Sequence, residues 1–285
     1  MAIERIGVVG GGLMGSGIAE VNARAGASVV VVEVSDDAAQ AARDRIESSL
    51  QRAVDRGKLS EADRDATLEA IVFTTDLEAL ADRQLVIEAA SEQEHIKLDL
   101  FARIGRIVQD PEAILTSNTS SIPIVKLGAV SGRPDRVMGV HFFNPAPVMK
   151  LVELIPSLTT SEETLATMRT YVADQLGKQP IDATDRAGFI VNSLLVPYLL
   201  SAIRMYEAGY ASAKDIDDGM VLGCGHPMGP LALSDLIGLD TIKAIGESLY
   251  EEFKEPLYSP PPLLGRMVDA GLLGKKSGHG FYPYG

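Results

Sequence analysis

The sequence has little of several residue types that mark particular classes of protein. Cys224 is the only cysteine among 285 residues, which excludes an internal disulfide and fits a reducing compartment. The four histidines lie far apart in the sequence, without the short spacing of metal ligands, so we expect no metal site.

Positive charge and long apolar runs are also scarce. The formal net charge of −13 argues against binding to nucleic acid or to an anionic membrane surface, since either needs a basic face. The longest apolar stretch, residues 189–200, is interrupted by Asn192 and Pro197 and is too short to span a bilayer. The N-terminus lacks the pattern of a signal peptide. We therefore expect a cytoplasmic protein with neither nucleic acid nor a membrane as a partner.

The N-terminal segment has the pattern of a βαβ unit that binds a dinucleotide. An apolar run leads into Gly10-x-Gly12-x-x-Gly15, a helical period of apolar residues follows, and a second apolar run ends on Glu33. Gly10 permits the tight turn, Gly12 lets the backbone approach a pyrophosphate, and Gly15 lets the helix pack closely on the strand. The helix N-terminus offers N–H groups and a positive dipole end to phosphates. We therefore predict a dinucleotide site at this loop.

Strand-like and helix-like segments alternate through the first part of the chain, which is typical of a parallel sheet covered by helices on both faces. The predicted strands are 3–9, 28–33, 71–74, 85–88, 113–116, 136–141, 150–155 and 179–183, with a helix over 162–175. Beyond residue 188 only helical periods occur, separated by Gly and Pro. We predict a Rossmann-type doubly wound sheet in residues 1–185 and a smaller all-helical domain in residues 186–285.

Residues 36–70 form a polar, alanine-rich stretch that is broken at Gly57. It predicts a helical hairpin, longer than a minimal connection between two strands requires. Two interpretations are open. The hairpin serves packing only, or its basic residues Arg52, Arg56 and Lys58 help to cover a substrate.

Residues 140–154 place an imidazole and a carboxylate on two adjoining strands. One strand ends on His141, a proline-containing loop follows, and a returning strand carries Glu153. Alcohol oxidation needs a base that titrates near neutral pH, and a carboxylate on the other ring nitrogen fixes the tautomer of that base. The alternative is a packing histidine beside two phenylalanines, and the spacing alone does not decide between them.

The polar run 116–121, Thr-Ser-Asn-Thr-Ser-Ser, lies between a predicted strand and an apolar helical segment. A helix N-cap alone would need only Ser120 or Ser121. The remaining hydroxyl and amide groups could bind a substrate oxygen and a nicotinamide at the mouth of the sheet.

Several motifs occur in one order along nearly the whole chain. They are Gly10-Gly-Gly-Leu-Met-Gly-Ser-Gly-Ile-Ala19, Glu88-Ala-Ala-Ser-Glu92 with Lys97, Ser117-Asn-Thr-Ser-Ser121, His141-Phe-Phe-Asn-Pro-Ala-Pro147, Gly188-Phe-Ile-Val-Asn192, Pro227-Met-Gly-Pro230 and Lys275-Lys-Ser-Gly-His-Gly-Phe-Tyr282. In these motifs the chain resembles the L-3-hydroxyacyl-CoA dehydrogenase family, and within it the short 3-hydroxybutyryl-CoA dehydrogenases. The blocks around residues 141–147 and 227–230 are more specific than the glycine loop.

The resemblance implies a role for each matching residue. The catalytic residues that it implies are His141 as the base, Glu153 as its orienting partner, and Ser120, Asn144 and Asn192 around the reacting oxygen. The NAD contacts that it implies are Gly10, Gly12, Leu13, Met14, Gly15, Glu33, Glu92, Lys97, Ser120, Asn144 and Lys276. Glu33 stands where the family often has Asp, and a carboxylate there should repel a 2′-phosphate and favour NAD over NADP.

For the acyl-CoA substrate, the resemblance implies contacts from Ser49, Arg56 and Ser120, with Lys58 as a rival to Arg56 because the alignment there is loose. Two positions depart from the family pattern: Ala187 stands where Pro is common, and Ser193 where Arg is common. Pro would restrict the backbone in the connection between the domains, and Ala187 does not.

The implied activity is the reversible, NAD-dependent oxidation of L-3-hydroxyacyl-CoA to 3-oxoacyl-CoA. The resemblance also implies a homodimer formed through the helical domain, although the apolar face over 191–205 is equally compatible with internal core. Two alternatives stay open: a dehydrogenase of a small hydroxy acid without CoA, and a non-catalytic relative of the crystallin kind.

Overall fold

The structure is a computed structural model and describes residues 2–285. The chain divides into two compact units, one ending at Asp185 and one from Arg186 to Gly285, and each is described by itself. Within the described residues, no helix combines the length and the apolar character needed to cross a bilayer.

The first unit is built on a single sheet. Its strands in the described chain are β1 (Arg5–Val9), β2 (Ser28–Val32), β3 (Ile71–Thr74), β4 (Leu85–Glu88), β5 (Ile114–Ser117), β6 (Val137–Phe142), β7 (Leu151–Pro156) and β8 (Gln179–Asp182). Their order across the sheet is β3-β2-β1-β4-β5-β6-β7-β8. Strands β1 to β6 are parallel, whereas β7 is antiparallel to β6 and β8 runs with β7. The order reverses between β1 and β4, where doubly wound sheets bind their ligands.

The described part of this unit contains six α-helices. They are α1 (Leu13–Arg24), α2 (Asp36–Asp55), α3 (Glu61–Glu69), α4 (Glu94–Ile107), α5 (Ile124–Ser131) and α6 (Glu162–Thr170). Helices α2 and α3 form the predicted hairpin, and each begins at a serine side chain that accepts a backbone N–H of its first turn: Ser35 from Ala38 at 3.2 Å and Ser60 from Asp63 at 3.0 Å. The expected Rossmann-type architecture is confirmed.

Some element bounds differ from those expected. The strand predicted over 3–9 begins at Arg5. The backbone N–H groups before it bind side chains: Ile3 donates to Gln175 Oε1 at 3.0 Å and Glu4 to Gln84 Oε1 at 2.9 Å. The helix predicted over 162–175 is an α-helix only to Thr170 and continues as a π-helical turn over Tyr171–Gln175.

The second unit is helical. Its helices are α7 (Val191–Glu207), α8 (Ala213–Cys224), α9 (Pro230–Ile237), α10 (Leu239–Phe253) and α11 (Pro262–Asp269). They surround a core of their own that includes Leu199, Leu200 and Leu231. Asp235 is buried and accepts the backbone N–H groups of Phe281 and Tyr282 at 2.9 Å, which fastens the C-terminal segment to α9.

Candidate active site

The glycine loop between β1 and α1 has the shape of an anion site. Gly12 stands before the first turn of α1, which has neither a side-chain cap nor an acidic residue, and a Cβ built on Gly12 meets no atom within 4 Å. A Cβ on Gly15 would lie 1.7 Å from the carbonyl oxygen of Gly10, so the helix approaches the strand only because residue 15 is glycine. Open backbone N–H groups at a helix N-terminus suit a pyrophosphate, so the residues present fit a dinucleotide.

Glu33 follows β2 directly and turns its carboxylate towards the glycine loop. Oε1 accepts the backbone N–H of Gly11 at 2.5 Å, and Oε2 accepts that of Val34 at 3.1 Å. Leu13 is 67% exposed beside the same loop. The acidic end of β2 and the glycine loop therefore form one surface, as dinucleotide sites require.

The register between β6 and β7 brings the imidazole and the carboxylate together. His141 and Glu153 are direct partners across this antiparallel pair, and Nδ1 of His141 lies 2.8 Å from Oε2 of Glu153. Both residues are buried, at 5% and 0% exposed. Because a carboxylate only accepts, Nδ1–H donates to Glu153, and Nε2 of the neutral ring is left as the acceptor.

Ser120 faces that second ring nitrogen. Its Oγ lies 3.0 Å from Nε2 of His141, so the hydroxyl donates to the imidazole. The loop that carries Ser120 follows β5, and β5 lies beside β6 in the sheet. The structure therefore aligns Ser120, His141 and Glu153 in one hydrogen-bonded row, and the row ends in a hydroxyl at the carboxyl edge of the parallel strands.

Glu92 supports the loop that holds Ser120. Its Oε1 accepts the backbone N–H of Ser120 at 2.9 Å and also accepts hydrogen bonds from the hydroxyl groups of Thr119 and Ser121. Its Oε2 lies 3.3 Å from Nζ of Lys97. Glu92 is thus tied into the serine loop, and its contact with NAD stays a prediction.

Lys97 is 1% exposed and binds a second carboxylate, that of Glu88 at the end of β4. Nζ of Lys97 donates to Oε1 of Glu88 at 2.6 Å, and the Oγ of Ser117 donates to Oε2 at 2.6 Å. Sequence reasoning assigned no role to Glu88. The sequence does contain a signal for this ion pair: Glu88 ends an otherwise apolar strand, and Lys97 follows nine positions later. The direct NAD contact predicted for Lys97 stays a prediction.

Asn144 lies in the loop after β6 and is exposed. It lines a cavity of about 330 Å³ between α1, α2 and this loop, and Ser49 of α2 lines the same cavity. Glu20 of α1 forms part of the wall. Burial raises the pKa of the Glu20 carboxyl above its ordinary value, against the opposing effects of the Ser49 hydroxyl and the Arg24 guanidinium.

Two of the predicted site residues, Asn192 and Lys276, lie in the second unit. Asn192 lies in the first turn of α7 and is half-buried, whereas Lys276 forms an ion pair with Asp240 at 2.5 Å. The two positions that depart from the family pattern contact each other: Ser193 Oγ donates to the carbonyl oxygen of Ala187 at 3.1 Å. The catalytic role of Asn192 and the cofactor contact of Lys276 stay predictions.

Comparison with known proteins identifies the family. Residues 5–186 match the profile of the 3-hydroxyacyl-CoA dehydrogenase NAD binding domain, and residues 188–284 match that of the 3-hydroxyacyl-CoA dehydrogenase C-terminal domain. A 3-hydroxybutyryl-CoA dehydrogenase of Mycobacterium tuberculosis is 58% identical over 283 residues, which cover 99% of both chains.

Solved structures agree with this. The crystal structure of M. tuberculosis FadB2 superposes with a TM-score of 0.99 at 58% identity, and that of the (S)-3-hydroxybutyryl-CoA dehydrogenase PaaH1 from Ralstonia eutropha with 0.93 at 47% identity. Each comparison covers 100% of both chains. The chain therefore belongs to the 3-hydroxyacyl-CoA dehydrogenase family and is an NAD-dependent enzyme that oxidises 3-hydroxyacyl-CoA.

Proposed function

We propose that the chain interconverts L-3-hydroxybutyryl-CoA and acetoacetyl-CoA, with His141 and Glu153 as the acid–base pair. The observation that carries this proposal is the row of Ser120, His141 and Glu153, with distances of 3.0 and 2.8 Å between the successive polar atoms. A buried carboxylate, an imidazole with a defined tautomer and a hydroxyl at a sheet edge are the groups that alcohol oxidation needs.

In the oxidative direction, Nε2 of His141 takes the proton of the substrate hydroxyl. The ring then carries a positive charge, which Glu153 stabilises through the hydrogen bond at Nδ1. Bound NAD⁺ supplies the hydride acceptor for this reaction.

Ser120 and Asn144 are proposed to hold the reacting oxygen. The Oγ of Ser120 lies 3.0 Å from Nε2 of His141, so a substrate oxygen that binds beside this pair lies within reach of both groups. In the reductive direction the same donors polarise the ketone. Asn192 is proposed as a further contact to this oxygen.

The glycine loop and Glu33 are proposed to hold the cofactor. Gly10, Gly12, Gly15 and the N-terminus of α1 would bind the pyrophosphate, and the carboxylate of Glu33 would accept the ribose hydroxyls. Contacts from Leu13, Met14, Glu92, Lys97 and Lys276 are part of the same proposal.

A spectrophotometric assay of NADH oxidation tests the proposed substrate. We expect turnover with acetoacetyl-CoA, and a kcat/KM for free acetoacetate at least about a hundredfold lower, because most of the binding surface of the CoA thioester is then missing. A series of 3-oxoacyl-CoA thioesters from four carbons upwards measures the chain-length preference. Equal kcat/KM values for acetoacetate and its thioester would instead support a dehydrogenase of small hydroxy acids, and no NADH oxidation at all would support a non-catalytic relative.

Replacement of Glu33 should relax the preference for NADH over NADPH. Glu33→Ala removes the charge that repels a 2′-phosphate, and Glu33→Gln removes the charge while keeping an acceptor for the N–H of Gly11. We expect both variants to lower the ratio of the kcat/KM values for NADH and NADPH by about tenfold or more. Glu69→Ala, which removes an exposed carboxylate at the end of α3, is the control. An unchanged ratio in both variants would show that Glu33 does not contact the ribose.

We also propose a homodimer that forms through the helical unit, in the cytoplasm. Leu194 on α7 and Leu222 on α8 are 73% and 82% exposed, and a dimer through this unit would bury such apolar side chains. The single exposed cysteine is compatible with a reducing compartment. A solution mass of one chain, measured by light scattering, would contradict the dimer.

A further inference from the structure

The segment between β6 and β7 (residues 143–150, the Asn144 loop) connects the two strands of the proposed acid–base pair. Asn144 and the three residues after it line the cavity of about 330 Å³. A Cβ built on Gly17 of α1 would lie 3.2 Å from both Ala146 Cβ and Pro147 Cδ. Helix α1, which begins at the glycine loop, is therefore in close contact with the Asn144 loop.

Lys178 binds the Asn144 loop through two hydrogen bonds. Its Nζ donates to the carbonyl oxygens of Ala146 and Met149, each at 2.7 Å. The other hydrogen bonds that residues 143–149 form within the described chain are internal, from two backbone N–H groups to the carbonyl oxygen of Pro145. The ammonium group of Lys178 is thus the polar link between this loop and the rest of the unit.

The backbone that carries Lys178 is itself fixed. Its N–H donates to the carbonyl oxygen of Val172 at 3.0 Å, and the N–H of Gln179 donates to that of Lys150 at 2.8 Å, where β8 begins to pair with β7. The side chain is half-buried. Lys178 can therefore hold the Asn144 loop at a defined position relative to the sheet.

The surroundings of Lys178 differ from those of an ordinary surface lysine. Lys126 and Lys243 each form an ion pair with a glutamate, whereas no carboxylate among the described residues pairs with Lys178. Burial lowers the pKa of Lys178, and the charge of Arg24 lowers it further. Two carbonyl dipoles of the Asn144 loop bind this cation in place of an acid, and groups in such unfavourable surroundings concentrate at functional sites.

We propose that Lys178 is a positioning residue for the dehydrogenase reaction, because it fixes the Asn144 loop and so places the Asn144 amide beside the reacting oxygen. This inference rests on the proposed function, which gives Asn144 that contact. The Asn144 side chain is exposed and forms no hydrogen bond within the described residues, so its position depends on the backbone of the loop. A displacement of about 1 Å, caused far from the reacting atoms, can lower the rate about a hundredfold.

Lys178→Met removes the ammonium group and keeps much of the side-chain volume. We expect kcat with acetoacetyl-CoA to fall about ten- to a hundredfold. The Kd for NADH should stay within about threefold of the wild-type value, because the glycine loop and Glu33 are unchanged. Lys178→Arg should recover most of the loss, because a guanidinium also binds pairs of carbonyl oxygens: Arg133 donates to those of Asp110 at 2.6 Å and Val108 at 2.7 Å.

Arg133→Met is the matched control for a general effect on the fold. Arg133 precedes β6 and binds carbonyl oxygens that precede β5, at the edge of the sheet opposite to the site. Both variants lose hydrogen bonds from a cation to carbonyl oxygens, so both should be less stable in urea denaturation. Only Lys178→Met should lose turnover when each enzyme is assayed well below its unfolding midpoint.

A double-mutant cycle tests whether Lys178 acts through Asn144. Asn144→Ala should itself lower kcat about a hundredfold, the usual loss for one donor to a reacting oxygen. In that background Lys178→Met should lower kcat by less than about threefold, because the group that it positions is gone.

The proposal is overturned if Lys178→Met keeps the wild-type kcat or if Arg133→Met loses turnover equally. It is also overturned if the loss in Lys178→Met is undiminished in the Asn144→Ala background. A wild-type enzyme that fails to reduce acetoacetyl-CoA, or an Asn144→Ala enzyme with full turnover, would contradict the proposed function itself, which is a different result.

Discussion

His141→Gln should lower kcat with acetoacetyl-CoA by about 10²- to 10⁴-fold, the usual contribution of a general acid–base group. Glutamine fills much of the same volume and offers hydrogen bonds to both Ser120 and Glu153, but it does not exchange a proton near neutral pH. The Kd for NADH, measured by fluorescence titration, should stay within about threefold of the wild-type value, because the glycine loop is unchanged.

The same substitution at His95 is the control. His95 is exposed on the first turn of α4, so His95→Gln should leave kcat unchanged. A His141→Gln enzyme that keeps wild-type turnover would refute the proposed acid–base role. A loss of turnover accompanied by an equal loss of NADH binding would instead indicate a disturbed fold.

Of the single substitutions proposed for this protein, Lys97→Met should lower the free energy of unfolding the most. Glu88 is 0% exposed and its Oε1 lies 2.6 Å from Nζ of Lys97, so the substitution leaves a buried carboxylate without its counter-charge. Removing one partner of a buried pair costs about 3–5 kcal/mol of unfolding free energy. Urea denaturation followed by circular dichroism measures this cost. An unfolding free energy within about 1 kcal/mol of wild type would mean that the pair is not buried in solution.

A double variant separates the charge from the packing. In Glu88→Gln with Lys97→Met, the new amide can accept the N–H of Ala90 and donate to the hydroxyl of Ser117, so both contacts of the carboxylate have a neutral substitute. We expect most of the lost stability to return. Lys126→Met, which breaks an exposed pair with Glu94 at 2.8 Å, should cost far less because water solvates the remaining charge. If the double variant is no more stable than Lys97→Met, the loss comes from packing.

The sheet, the hairpin and the helical second unit could be predicted, because the period of apolar residues and the glycines between segments depend on local structure. The pairing of β7 with β6 was implied by the proline-containing loop between His141 and Glu153. The register of this pair could not be predicted from the sequence. The contact between His141 and Glu153 depends on it, because a shift by one residue reverses the face of the sheet on which a side chain lies.

The polar contacts that support the loop carrying Ser120 could not be predicted from the spacing of residues along the sequence. Lys97 and Glu92 were expected as cofactor contacts. In the structure Lys97 also forms ion pairs with Glu88 and Glu92, and Glu92 accepts the backbone N–H of Ser120. The role of Glu88 emerged only from the structure, which shows its carboxylate between Lys97 and Ser117 at the end of β4.

The antiparallel register of β6 and β7 places His141 and Glu153 in the buried part of the first unit, whereas most of α2 in the hairpin is exposed. Substitutions on α2 can therefore accumulate without disturbing the distance between His141 and Glu153. In evolution, the choice of thioester carrier is free to drift while the reaction stays the same, so a descendant of this fold could exchange CoA for another acyl carrier through changes in the hairpin alone.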